Sequence, residues 1–159
     1  MKTGERTLLG FDVGTRFIGV AVGQELTGRA QPLITLHAVD GEPNWDEVDG
    51  LVRTWRPDAM VVGIPLTLDG DRQEMTERAE SFVKALEQRY QLPVFRSDER
   101  LTSMEARHHL PPHTKARERR DDSRRKALLD QVAAQLILET WFSEHHDARS
   151  ALLGEGGTA

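Results

Sequence analysis

Residues 8–22 read Leu-Leu-Gly-Phe-Asp-Val-Gly-Thr-Arg-Phe-Ile-Gly-Val-Ala-Val. An apolar strand ends in a carboxylate. A Gly-Thr-Arg turn follows, and a second apolar strand begins at once. Gly14 supplies the backbone freedom of the turn, so Thr7–Val13 and Phe17–Gly23 are expected to pair as an antiparallel hairpin. A carboxylate at the rim of a sheet, beside a tight turn with free backbone donors, suits a metal or a phosphate. The chemistry of this chain is therefore sought first at Asp12.

Behind the hairpin the pattern changes from strands to alternating strands and helices. Ala30–Ala38 reads as a third strand, and Asp40-Gly41-Glu42-Pro43-Asn44 as a break. Trp45, Val48, Leu51, Val52 and Trp55 fall at helical spacing, which makes both tryptophans core residues rather than base-stacking platforms. Ala59–Ile64 is a wholly apolar run of the kind found in parallel strands covered on both faces. Met75, Ala79, Phe82, Val83, Leu86 and Tyr90 form the stripe of a second helix. Leu92–Arg96 reads as the fifth strand, and Thr102-Ser103-Met104-Glu105 as the capping box of a third helix. The charged stretch to about Arg125 reads as a mobile loop. Leu129, Val132, Ala133, Leu136, Ile137 and Thr140 mark a final helix. The expectation is an α/β fold with a mixed five-stranded sheet and helices on both faces. Residues 1–144 would form a single domain, with a flexible tail over 145–159.

Bulk composition narrows the function classes. A chain of 159 residues fits one ordinary domain. No apolar run approaches the roughly 20 residues that span a bilayer, and no signal peptide is visible. The absence of cysteine excludes disulfides, thiolate catalysis and Cys-based zinc sites, and fits a cytoplasmic protein. The paired histidines His108-His109 and His145-His146 lack the spacing of a zinc site. A net charge of −5 argues against a generic nucleic-acid coat. Residues 111–126, however, hold seven basic side chains against three acidic ones, a local charge of +4. Local sign matters more than the total for a polyanionic partner.

Three acids occupy comparable positions. Asp12 ends the first strand, Glu99 follows the fifth, and Asp130 lies early in the final helix, beside its apolar stripe. Parallel strands share one rim at their carboxyl ends, and the loops there form the usual ligand crevice of an α/β sheet. Taken singly, Asp12 could be a turn former, Glu99 a partner of Arg100, and Asp130 a complement to the helix dipole. Taken together, three carboxylates repel one another until a cation joins them. Oxygen-only ligands select Mg²⁺ or Mn²⁺, and such ions polarise phosphodiesters and activate water. Arg100 would clamp a phosphate or hold Glu99. Gly14, Thr15 and Arg16 would touch a phosphate from the turn. Lys115, Arg124, Arg125 and Lys126 would steer a nucleic-acid backbone toward Asp130.

Four motifs in order also carry a resemblance. They are residues 12–21; Val61-Val62-Gly63-Ile64-Pro65-Leu66 with Asp69-Gly70; Asp98-Glu99-Arg100-Leu101-Thr102-Ser103; and Asp130-Gln131-Val132-Ala133-Ala134. Together they resemble the YqgF family, the RuvX-like, Holliday-junction-resolvase-like proteins regarded as nucleases of pre-16S ribosomal RNA. The resemblance runs from about Leu8 to Phe142. It implies an RNase H-like fold, a cytoplasmic location, metal-dependent phosphodiester hydrolysis, and a role in maturing the 5′ end of small-subunit ribosomal RNA. It makes Asp12, Glu99 and Asp130 the acidic cluster, with Thr15, Arg16 and Arg100 on the substrate side. Two positions depart from the expected pattern. Phe17 follows Arg16, and the fourth strand ends Gly63-Ile64-Pro65 without an acid, so Glu99 after the next strand substitutes, with Asp69 or Asp98 as the helper.

Three other activities compete with a nuclease acting on precursor ribosomal RNA. One is a Holliday junction resolvase acting on structured DNA. Another is a non-catalytic module on the same fold that binds nucleic acid or protein through residues 111–126. The third is a phosphate-binding ATPase, since Asp-Val-Gly-Thr also resembles the phosphate loop of the actin–sugar-kinase superfamily. That superfamily needs a second domain for which 159 residues leave no room, and no GK[ST] loop is present.

Overall fold

Period-two alternation in the strands and the close approach of one long helix decide the architecture. The computed structural model describes residues 6–65, 70–98 and 118–158. Its elements are β1 (Thr7–Val13), β2 (Phe17–Gln24), β3 (Arg29–Val39), β4 (Glu42–Pro43), α1 (Trp45–Trp55), β5 (Ala59–Ile64), α2 (Gly70–Tyr90), β6 (Val94–Asp98) and α3 (Glu118–Thr158). The strand order is β4-β3-β2-β1-β5-β6. β1, β2 and β3 pair antiparallel, whereas β5 joins β1, and β6 joins β5, in parallel. An antiparallel three-stranded start feeding two parallel crossover strands gives the mixed α/β sheet that the sequence pattern predicts.

The sheet has six strands rather than five. Asp40 and Gly41 both take positive φ, 53° and 82°. That is the two-residue turn that suits a hairpin, and it folds Glu42–Pro43 back onto Ala38 and Val39. Proline reads as a breaker, but at the outer edge of a sheet its missing N–H costs no ladder bond.

Two apolar layers flank the sheet. Leu9, Phe11, Val13, Ile18 and Val20 point to one face, against Val48 of α1 and Phe82, Val83 and Leu86 of α2. The helical stripes expected for α1 and α2 are therefore the ones that are buried. α1 is capped by Asn44, whose side chain accepts from the Asp46 amide at 3.0 Å, and it ends at Arg56 in a left-handed conformation. Leu8, Ala21, Ala59 and Val61 point to the other face, against Ala134, Ile137, Leu138 and Trp141 of α3. Ala59–Ile64 is buried throughout, as a parallel strand between two helical layers must be.

The final helix is longer than the apolar pattern suggested. It starts at Glu118, so the second half of the charged stretch is helical and not a loop, and its backbone continues to Thr158. The third helix expected from Thr102 lies outside the described residues.

Candidate functional site: a carboxylate pair under the final helix

β1 carries Asp12 to the rim on the α3 face. Gly10 lies two residues before it, and a Cβ on Gly10 would meet Leu138 Cγ of α3 at 2.5 Å. Side chains two apart on a strand share a face, so Asp12 also points toward α3. Directly across the ladder Asp12 pairs with Gly19 of β2. A Cβ on Gly19 would stand 2.0 Å from the Asp130 carbonyl oxygen and 2.9 Å from Asp130 Cβ. Opposed Cβ positions lie about 4.5–5.5 Å apart, so the Cβ atoms of Asp12 and Asp130 are no more than about 8 Å apart. Carboxylates at that separation reach a common cation. Asp130 Oδ2 is fully buried, while Asp12 is half-buried. The structure thus brings together two of the three predicted acids.

The helix presents Asp130 on its innermost face. The buried positions are Ala133, Ala134, Ile137, Leu138, Trp141 and Phe142. Asp130 heads this stripe one turn before Ala134. The sequence pattern set Asp130 beside the stripe because it weighted the larger Leu129, Val132 and Leu136, which are only half-buried. Glycines on the sheet below let the helix approach closely, Gly19 against the Asp130 backbone and Gly10 against Leu138 and the Ala134 carbonyl. A polar seam then fixes the helix along β3. Thr35 Oγ1 donates to the Ala127 carbonyl at 2.7 Å and accepts from Gln131 Nε2 at 3.0 Å. Farther along, Gln135 Nε2 donates to the Ala30 carbonyl, and Glu139 accepts from the Ala30 amide.

The basic residues divide. Arg124 and Arg125 lie on α3 itself, with Arg124 exposed and Arg125 half-buried. Arg124 is six residues before Asp130, about 9 Å along the axis. Lys126 belongs to the same helix. Lys115 lies outside the described residues.

The β1–β2 turn is more occupied than its sequence suggested. The Gly14 amide donates to the Phe17 carbonyl at 2.9 Å. The Thr15 and Arg16 carbonyls accept from the Gly41 and Ala38 amides, and Thr15 Oγ1 contacts Met75 Sδ at 3.6 Å. The hairpin is therefore pinned to the β3–β4 turn and to α2. Both Thr15 and Arg16 remain exposed at the rim. Phe17 packs its ring on His37 at 5.2 Å.

On the other side of Asp12, β5 and β6 end at the same rim. Val94 packs in the α1–α2 layer and Phe95 against the α3 layer, so Ser97 shares the α3 face with Asp12. Ser97 is buried, and its Oγ has no hydrogen-bond partner among the described residues. Glu99 and Arg100 follow β6 and lie outside the described residues. Among the described residues no group of three His, Cys, Asp or Glu side chains is placed to hold a metal ion. The pair that is present offers only carboxylate oxygens, which suits a hard divalent cation. A cavity of about 400 Å³ lies elsewhere, against the α1–α2 layer between Asp40, Trp45, Glu77 and Phe82, and includes none of these residues.

Gly19, Thr35, Gln131 and Ser97 were not singled out by sequence reasoning. Only Gly19 left a signal, a glycine inside an apolar strand, which marks close approach of another backbone.

A family model described as "RuvX: Holliday junction resolvase" matches residues 6–144. A protein of Azotobacter vinelandii named "Putative pre-16S rRNA nuclease" is 52% identical over 142 residues, covering 89% of this chain and 96% of the relative. A protein of Pseudomonas aeruginosa with the same name is 50% identical over 142 residues, covering 89% and 95%. Among solved structures, Thermus thermophilus RuvC in complex with a Holliday junction substrate aligns with a TM-score of 0.48 at 16% identity, covering 83% of this chain and 92% of that one. No described helix is long and apolar enough to cross a membrane.

Proposed function

This chain belongs to the RuvX family, and we propose that it is a metal-dependent nuclease that hydrolyses phosphodiester bonds of precursor 16S ribosomal RNA, at its 5′ end, in the cytoplasm. The observation that carries this reading is the meeting of Asp12 and Asp130 across Gly19. Two carboxylates at one sheet rim repel each other unless a cation neutralises them. Strand β6 ends at the same rim, and Glu99, the next residue in the sequence, is the third ligand in this reading.

Asp12, Glu99 and Asp130 would hold Mg²⁺ or Mn²⁺, which supplies Lewis-acid polarisation of the phosphate and an acidified water. The chain's own groups do the rest. The three carboxylates would fix where the attacking oxygen and the phosphate meet. Arg100 faces the scissile phosphate and offsets its charge. Gly14, Thr15 and Arg16 approach the backbone from the hairpin turn. Lys115, Arg124, Arg125 and Lys126 guide the strand toward Asp130 through phosphate contacts, which carry affinity rather than sequence preference.

The family description favours a second substrate, the four-way DNA junction. Cleavage of labelled precursor ribosomal RNA and of a four-way junction, each with and without Mn²⁺, separates the two. The RNA is expected to be cut at its 5′ side in Mn²⁺ only, and Asp12→Asn is expected to abolish cutting while leaving the circular dichroism spectrum unchanged. Cutting of the junction alone would reassign the substrate. Binding that survives chelation, with no cutting of either nucleic acid in Mn²⁺, would overturn the nuclease reading in favour of a non-catalytic module.

A further inference from the structure

One row of residues crosses the sheet beneath α3: Thr35 of β3 pairs with Gly19 of β2, and Gly19 pairs with Asp12 of β1. Asp130 rests on the middle of that row, and the Thr35 hydroxyl reaches up from its end. A hydroxyl has one proton to donate and lone pairs to accept with. At Thr35 both functions are used on the same helical turn: the proton goes to the Ala127 carbonyl at 2.7 Å, and a lone pair takes the Gln131 side-chain amide at 3.0 Å. These two helix residues bracket Asp130, three positions before it and one after.

Apolar packing alone positions this turn loosely. Gly19 offers no side chain to key the helix at Asp130, and its contact there is with backbone. The buried large side chains, Ile137, Leu138, Trp141 and Phe142, all lie two or more turns away. The Thr35 hydroxyl is a directional contact on the same turn as the carboxylate.

We propose that Thr35 is a positioning residue: its hydroxyl, held between the Ala127 carbonyl and the Gln131 amide, sets the helical turn that presents Asp130 to Asp12 and thereby tunes the affinity of the carboxylate pair for a divalent cation. The inference rests on the cation reading above. Residues that orient ligands from behind typically change metal affinity by about 10–100-fold.

The test is Mn²⁺ binding to the full chain without nucleic acid, read from the free-ion signal in electron paramagnetic resonance. Thr35→Val keeps the shape and suits a strand. It is expected to weaken Mn²⁺ binding about tenfold or more, with Thr35→Ser restoring it. Gln131→Leu removes the bond from the helix side and is expected to act in the same direction, so it carries the test if Thr35→Val does not fold. Gln135→Leu breaks the same seam farther along, at Ala30, and is expected to leave Mn²⁺ affinity unchanged. Asp12→Asn is expected to remove the binding. Full binding by Asp12→Asn would overturn the cation reading, and this inference with it. Loss in Asp12→Asn, with wild-type affinity in Thr35→Val and Gln131→Leu, would overturn the positioning role and leave the reading standing. Equal weakening by Gln135→Leu would also overturn it, because any break in the seam would then suffice.

Discussion

Gly19 lies directly beneath Asp130, so closely that a Cβ built on the glycine would stand 2.0 Å from the Asp130 carbonyl oxygen. Gly19 is also the cross-strand partner of Asp12. A single missing side chain therefore does two things. It lets the backbone of α3 touch the sheet, and it makes neighbours of two acids 118 positions apart in the chain.

Gly19→Ala is expected to push the helix off the sheet at its functional end. The clash is with backbone atoms, which cannot rotate away, so the cost should sit at the upper end of overpacking, about 3 kcal/mol. Urea unfolding measures it, and Mn²⁺ affinity should fall with it. Stability within about 0.5 kcal/mol of wild type, the range of a neutral surface change, would show that the approach is not as close as described.

Ser97→Ala should cost nothing and is expected to stabilise the fold. Ser97 Oγ is buried with no hydrogen-bond partner among the described residues, so wild type bears a desolvation penalty that alanine relieves. The expected gain is up to about 1 kcal/mol in urea unfolding. A loss of more than about 1 kcal/mol would reveal a hydrogen bond made by that hydroxyl in solution.

Acid should selectively weaken the contact between α1 and α2. Asp49 accepts from Arg89 Nε and Nη2 at 2.9 and 2.8 Å and from the Tyr90 hydroxyl at 2.6 Å. The Arg89 hydrogen bonds, then that of Tyr90, hold the Asp49 carboxyl well below the usual carboxylate range. A lowered folded-state value means the unfolded chain takes up the proton first. The contribution to stability is thus present above about pH 4 and lost as pH falls below it. The gap in melting temperature between wild type and Asp49→Asn should be open at pH 7 and close progressively below pH 4. Burial, then Asp49, pushes the Tyr90 hydroxyl above its usual range, so its contribution is lost only as pH rises past about 10. A gap that widens in acid would contradict the assignment.

Much of the frame was legible because it rests on local rules. The hairpin at Asp12 follows from two apolar runs around a glycine turn, and Ala59–Ile64 is recognisable as a doubly covered strand from its apolar run. The extra strand was hidden by Pro43, although Asp40-Gly41 carries the signature of a hairpin turn. The face of Asp130 was misjudged for a different reason. Hydrophobic size ranks Leu129 and Leu136 above Ala134, yet over Gly10 and Gly19 it is the turn of Asp130 and Ala134 that lies against the sheet. The Thr35–Gln131 bond joins residues 96 apart, and no local pattern announces a contact of that range. The same holds for Ser97, whose face is known only once Phe95 is seen to pack toward α3.

The central claim is that Asp12 and Asp130 form one cation site. Thermal unfolding of wild type and Asp130→Asn, each in chelator and in saturating Mn²⁺, tests it most directly. A ligand at about 100 times its dissociation constant adds about 2.7 kcal/mol, which for a domain of this size raises the melting temperature by roughly 5–10 °C. Wild type should show that rise, and Asp130→Asn should show none. An undiminished rise in Asp130→Asn would contradict the claim.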